Sequence, residues 1–207
     1  YRPPLDTFAA WLGKVPNQGI KVSPGVDYGQ IPAGAEIEFI SVKGEVREGV
    51  LWYGDLRTGA GRRATLLPQG ATLTDDAVDP IVITEPKEFL YEPDGAVIRA
   101  HLVEQLANRL DATKIDDDIA YLTAGQAQET PFARCYALED AMPFQLKRLR
   151  QYLRERNVGR LTIKKRGSPL DPDTLRKQLR LQGDEERVIF LTHVKGEACV
   201  LVGRDRI

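Results

Sequence analysis

The stretch VIFLTHVKGEACVLV, residues 188–202, is apolar and strand-like on both sides of Lys195-Gly196 and reads as a hairpin. Strands are expected at Val188–His193 and Ala198–Val202, because a glycine that accepts positive φ between two apolar runs is the strongest short-range hairpin signal in the chain. Working back from it, Asp171-Pro172 starts a short helix to Leu181, closed by Gly183. Leu161–Lys165 is a strand, and Pro143–Arg156 a helix opened by its proline. Further strands are expected near Phe132–Leu138 and Ile119–Thr123. Asp94 is the N-cap of a helix through Leu110, whose apolar stripe is Val97, His101 or Leu102, Leu106 and Leu110. This half is α+β.

Residues 1–85 read as the edge of an α/β sheet. A helix is expected over Leu5–Leu12, then a strand over Ile20–Ser23 ended by Pro24 and Gly25, a candidate parallel strand. After a turn-rich stretch comes a strand over Ala35–Val42. In Glu45–Tyr53, Val46, Val50 and Tyr53 keep helical spacing, whereas Gly49 and the Val-Leu-Trp-Tyr run favour a strand; the spacing predicts a short helix. Arg63–Leu67 is another strand. Pro68, Pro80, Pro86 and Pro93, with several acidic residues, place the domain change near residue 85, giving domains 1–85 and 86–207. The chain starts at Tyr1 in what reads as a helix, and its one methionine is Met142, so a piece of a longer protein is expected.

The 207 residues are 42% hydrophobic and 29% charged, the range of a globular protein, with a net charge of -1 that excludes whole-molecule attraction to nucleic acid. Charge is instead segregated. Residues 81–140 hold 5 Lys/Arg against 12 Asp/Glu, while residues 144–187 hold 13 against 6. Two cysteines, Cys135 and Cys199, are too few for a secreted disulfide framework, and no apolar run approaches a bilayer span. A cytoplasmic protein is expected, with no membrane partner.

The cations concentrate around one strand. Lys164, Lys165 and Arg166 end it, Arg148 lies among the arginines of the helix before it, and Arg176 and Lys177 lie in the helix after it. Clustered cations that release counterions make an RNA-backbone surface; a solvated or internally paired face is the alternative, since adjacent strand residues point to opposite sides. Ser23, Pro24 and Gly25 follow a strand and are a candidate pocket rim, or a plain strand-ending turn. His101 and His193 lack a partnering nucleophile or carboxylate at diagnostic spacing. Asp116, Asp117 and Asp118 lack the glycine and distal glutamate of a calcium loop, and no metal is expected.

Several runs together resemble a known family: Val22-Ser-Pro-Gly25, Gly44-Glu-Val-Arg-Glu-Gly-Val-Leu-Trp52, Tyr91-Glu-Pro-Asp-Gly-Ala-Val-Ile-Arg99, Ile119-Ala-Tyr-Leu-Thr123, Leu161-Thr-Ile-Lys-Lys-Arg-Gly167 and Leu175-Arg-Lys-Gln-Leu-Arg-Leu181. They are similar to class I S-adenosylmethionine-dependent methyltransferases with a C-terminal THUMP-like domain, over nearly the whole chain. The resemblance implies that residues 1–85 are the terminal part of a doubly wound methyltransferase sheet and 86–207 a THUMP-like α+β domain. It implies S-adenosylmethionine as cofactor, RNA as substrate, and a missing N-terminal methyltransferase portion as partner. The glycine-rich turn, the ribose-binding acid and the Asp-Pro-Pro type motif of that family would precede Tyr1, so no catalytic or cofactor-binding residue is assigned here. The other reading is a noncatalytic RNA-binding or protein-interaction module.

Overall fold

The computed structural model describes residues 3–206. Contacts divide the chain into two compact units, each made of separate stretches: Tyr1–Pro80, Pro93–Arg109 and Thr130–Phe132 in the first, Ile81–Glu92, Leu110–Glu129 and Ala133–Ile207 in the second. The first crossing, at 80/81, falls beside the change expected near residue 85, and the chain then returns to the first unit twice.

In the first unit a one-turn helix α1 (Asp6–Ala9) precedes strands β1 (Gly19–Val22), β2 (Glu36–Val42), β3 (Glu45–Trp52), β4 (Arg62–Leu67) and β5 (Ala71–Thr74), ordered β1-β3-β2-β4-β5. β3 is antiparallel to both β1 and β2, so these two point the same way on either side of it. β4 is parallel to β2, and β5 antiparallel to β4. The strand ending at the Ser-Pro-Gly turn is thus an edge strand whose ladder is antiparallel, not parallel. The helix expected over Glu45–Tyr53 is also corrected: this segment is β3. Lys43 (φ 53°) and Gly44 (φ 85°) form a two-residue turn that pairs Val42 with Glu45 and folds β3 back on β2.

Ile37, Phe39, Ala64 and Leu66 lie on one face of this sheet and are buried. Helix α2 (Gly95–Arg99) packs against β2, β3 and β4, with α3 (Val103–Arg109) following. Asp94 caps α2 as expected, accepting from the Ala96 N–H at 2.8 Å. The single helix predicted to Leu110 is broken, because His101 takes a left-handed φ of 54°. The sequence explains the break: Val97 and Leu102 are five residues apart, one more than a helical stripe allows, yet both are fully buried. The opposite sheet face mixes Ile40, Val50 and Trp52 with charged groups. There Arg63 donates to Glu36 at 3.2 Å and to Glu38 at 2.9 Å, both carboxylates being buried.

The second unit holds β6 (Phe89–Pro93), β7 (Thr113–Lys114), β8 (Leu122–Ala124), β9 (Ala133–Pro143), β10 (Val158–Lys165), β11 (Glu185–Val194) and β12 (Glu197–Asp205) in the order β10-β11-β12-β9-β6-β8-β7. β10 and β11 are parallel; β11, β12 and β9 are antiparallel neighbours. Helices α4 (Leu146–Glu155) and α5 (Pro172–Leu179) cover one face through Leu149, Leu153, Leu175 and Leu179, packed on Leu161, Ile189, Leu191 and Val200. The other face buries Tyr121, Tyr136, Phe190 and Leu201. Pro143 ends β9 rather than opening α4, which starts after Gln145. α5 keeps its Asp171 cap but ends at Arg180, left-handed at φ 49°. Gly183 therefore closes no helix; a Cβ on it would lie 1.8 Å from the Asn157 carbonyl oxygen, so it serves a close backbone approach.

Candidate nucleic-acid interface

The cations around β10 separate by what they touch. Lys164 lies on the sheet face opposite the helices, where Glu92 accepts from its Nζ at 2.6 Å and the Tyr136 ring centroid is 5.6 Å away. Glu92 also accepts from the Tyr136 hydroxyl at 3.2 Å. Burial and the Glu92 charge both raise the Tyr136 pKa, so the phenol stays protonated. Arg166 sits over the Tyr121 ring, 5.2 Å from its centroid. Burial, aided by Glu92, pushes Tyr121 up to about 12, with Arg166 pulling the other way.

On the helix side, Lys165 is exposed and donates to the Leu170 carbonyl at 3.2 Å. Arg176 donates to the Leu161 carbonyl and so ties α5 to β10. Arg150 donates to the Gln178 carbonyl at 2.7 Å and Arg154 to the Arg180 carbonyl at 3.0 Å. These two satisfy carbonyls that the end of α5 leaves without intrahelical donors. What stays outward is a smaller set. Lys147, Arg148 and Lys177 are exposed and form no ion pair or hydrogen bond among the described residues. Arg156, also exposed, lies over Tyr152, its guanidinium carbon 3.5 Å from the ring centroid, and donates to the Tyr152 carbonyl at 3.3 Å. Of the six cations singled out from the sequence, Arg148 and Lys177 are the ones with neither an ion pair nor a hydrogen bond among the described residues. The Tyr152–Arg156 pair was not anticipated, although its four-residue spacing on a helix is visible in the sequence.

In the first unit the Ser23-Pro24-Gly25 turn is closed by the Ser23 hydroxyl accepting from the Gly25 N–H at 3.1 Å. The residues just beyond it are held to α2: Arg99 donates to the Val26 carbonyl at 2.8 Å, and the Tyr28 hydroxyl donates to the Arg99 carbonyl at 2.7 Å. Burial lifts Tyr28 to about 12 against the opposing charges of Arg62 and Arg99. An open pocket of about 350 Å³ nearby is lined by Pro4, Leu5, Asp6, Gly29, Gln30 and Ile31 rather than by the turn.

These residues do not fit a nucleotide-type cofactor. Among the described residues, no strand runs through a glycine-rich turn into a helix, the arrangement that presents backbone N–H groups and a helix N-terminus to such a ligand. The Gly59-Ala-Gly61 stretch leads into β4, and its Gly61 N–H already donates to Asp75 at 3.0 Å. Among the described residues, no helix is long and apolar enough to cross a membrane.

The first unit is a mixed five-stranded sheet covered by α2, and the second is a seven-stranded α+β unit. The crystal structure of a protein from Porphyromonas gingivalis W83, described as a candidate methyltransferase, shares this fold with a TM-score of 0.74 over 98% of this chain and 55% of that one, at 21% identity. Residues 133–205 match the family described as THUMP domain-like. The chain is 35% identical over 179 residues to uncharacterized S-adenosylmethionine-dependent methyltransferases from Mycobacterium tuberculosis strains CDC 1551 / Oshkosh and H37Rv, an alignment covering 84% of this chain and 49% of each relative. It thus spans about half the length of the curated relatives it matches. Residues 133–205 are thus similar to THUMP-like domains, and most of the chain is similar to one half of S-adenosylmethionine-dependent methyltransferases.

Proposed function

We propose that the chain is the substrate-recognising part of a methyltransferase that acts on RNA, with the second unit binding the RNA and the first continuing a catalytic sheet. The observation that carries the RNA reading is the set of exposed, unpaired cations Lys147, Arg148 and Lys177 on the adjoining helices α4 and α5. The sheet reading draws on the edge position of β1, which has no strand on its outer side among the described residues. In the whole protein S-adenosylmethionine would supply the methyl group; no step involving it is assigned to residues of this chain. The free Cys135 and Cys199 suit a reducing, cytoplasmic setting.

The RNA reading is tested by fluorescence anisotropy over a salt series. Replacing Arg148 and Lys177 together with Ala should weaken binding and flatten the slope of log K against log salt by about 1.4, roughly 0.7 per phosphate contact on a single strand. An unchanged slope in the folded double variant would overturn this surface. That no cofactor cradle is formed among the described residues favours a second reading, a binding module without catalysis, for the chain taken alone. Calorimetry with S-adenosylmethionine should then give no binding heat, and clear saturable heat would show that these residues hold a cofactor site after all.

A further inference from the structure

Arg148, Tyr152 and Arg156 follow one another at four-residue intervals down α4 and its C-cap, so they form one stripe on the helix surface. Arg148 is exposed and unpaired, Tyr152 is half-buried against the core beneath the helix, and Arg156 is exposed with its guanidinium stacked on the Tyr152 ring. The stack is fixed from two directions. The ring is held by its packing, and the guanidinium by its bond to the Tyr152 carbonyl. With its carbon 3.5 Å from the ring centroid, the guanidinium covers one side of the ring, and because Arg156 is exposed it remains open to a ligand from solvent. A guanidinium is flat, weakly hydrated and positive, the properties that suit a nucleobase π-face. The acidic groups that act on the Tyr152 hydroxyl are Asp140 and Glu139. Glu139 is already paired with Arg187 and Arg204, at 2.8 and 2.5 Å, so it does not cancel the stripe's charge.

We propose that the Arg148–Tyr152–Arg156 stripe is a stacking platform for an unpaired RNA base, with the base on the outer face of the Arg156 guanidinium and Arg148 on the adjacent phosphate. The proposal rests on the reading that the second unit binds RNA, and it goes further by naming single-stranded or looped RNA as the form taken. A duplex hides its base faces and offers α4 only phosphates, whereas an unstacked base can lie on an arginine plane.

The test uses the full chain and an unstructured RNA of about 12 nucleotides carrying 2-aminopurine at one position, with a duplex of the same sequence as the comparison. The wild type should bind the single strand about tenfold more tightly than the duplex and change the 2-aminopurine fluorescence on binding. Arg156→Lys keeps the charge but loses the plane. It should lower single-strand affinity about tenfold, abolish the fluorescence change and leave duplex affinity and the salt slope unaltered. Tyr152→Leu keeps an apolar side chain on the core and should act in the same direction. Arg148→Ala should do the reverse, flattening the salt slope while the fluorescence change persists. If Arg156→Lys binds the single strand as the wild type does, the platform is wrong although RNA binding stands. If neither RNA binds the wild type, the RNA reading itself fails; competition by an acidic peptide in that case would assign the stripe to a protein partner.

Discussion

Lys164 and Lys165 are adjacent in sequence and face opposite sides of β10. Lys164 meets Glu92 and Tyr136 with its side chain 24% exposed, whereas Lys165 lies open at the helix side. Lys164→Met would leave Glu92 without its cation and should lower stability by about 1 to 2 kcal/mol in urea denaturation, while Lys165→Ala should stay within about 0.5 kcal/mol. Equal effects would contradict the opposed placement. Strand alternation makes the opposition readable from the sequence. The partner is not readable, because Glu92 is 72 residues away and its strand, β6, is separated from β10 by β11, β12 and β9. Asp75 gives a pH-dependent counterpart in the first unit. Burial pushes its carboxyl up, but the N–H groups of Arg62 and Gly61 and the Arg62 guanidinium outweigh that and hold it below the usual range. Its contribution is therefore complete above the unfolded value near 3.9 and lost as the pH falls through the lower folded value. Asp75→Asn should cost about 1 kcal/mol at neutral pH, and the gap in thermal melts should close below about pH 4. A gap that persists at pH 2 would show that the charge is not what stabilises.

The tetrapeptide Val-Lys-Gly-Glu occurs twice, at Val42–Glu45 and Val194–Glu197, and both copies are two-residue hairpin turns with nearly identical φ values. The second is legible in the sequence because apolar runs flank it on both sides. The first is masked because Val46, Val50 and Tyr53 imitate a helical stripe, although β3 lies against two strands and so buries residues that a half-exposed strand would leave polar. The glycines of the second unit separate two kinds of constraint. A Cβ on Gly196 meets nothing within 4 Å, so Gly196→Ala should cost only the left-handed backbone penalty, about 1 to 2 kcal/mol. A Cβ on Gly159 would lie 1.5 Å from the Gly183 carbonyl oxygen, so Gly159→Ala must push backbone apart and should cost more than about 3 kcal/mol. Chemical denaturation of the two variants side by side checks the order. Only the first of these glycines was marked by its turn sequence; the second answers to a residue 24 positions on, which no local pattern encodes.

The near-zero net charge of the chain conceals the cationic stretch at 144–187, and that contrast was readable from composition alone. What composition overstated is how many of those cations face outward, since Arg150, Arg154 and Arg176 bind carbonyls and Arg187 is buried and paired with Glu139 and Glu185. RNA affinity should accordingly respond to few side chains. Arg187→Ala should unfold the region rather than simply weaken binding, visible as a lower melting temperature without RNA.

Each unit draws on separate stretches of chain, with crossings at 80/81, 92/93, 109/110, 129/130 and 132/133. No single cut yields either unit whole: a break after residue 85 would strip the first unit of α2, the helix that covers Phe39 and Ala64. The two units therefore cannot be exchanged by simple end-to-end fusion of genes. A lineage that gains or loses one of them must rebuild the other, so the two units are expected to be inherited together and to diverge by substitution on their exposed surfaces.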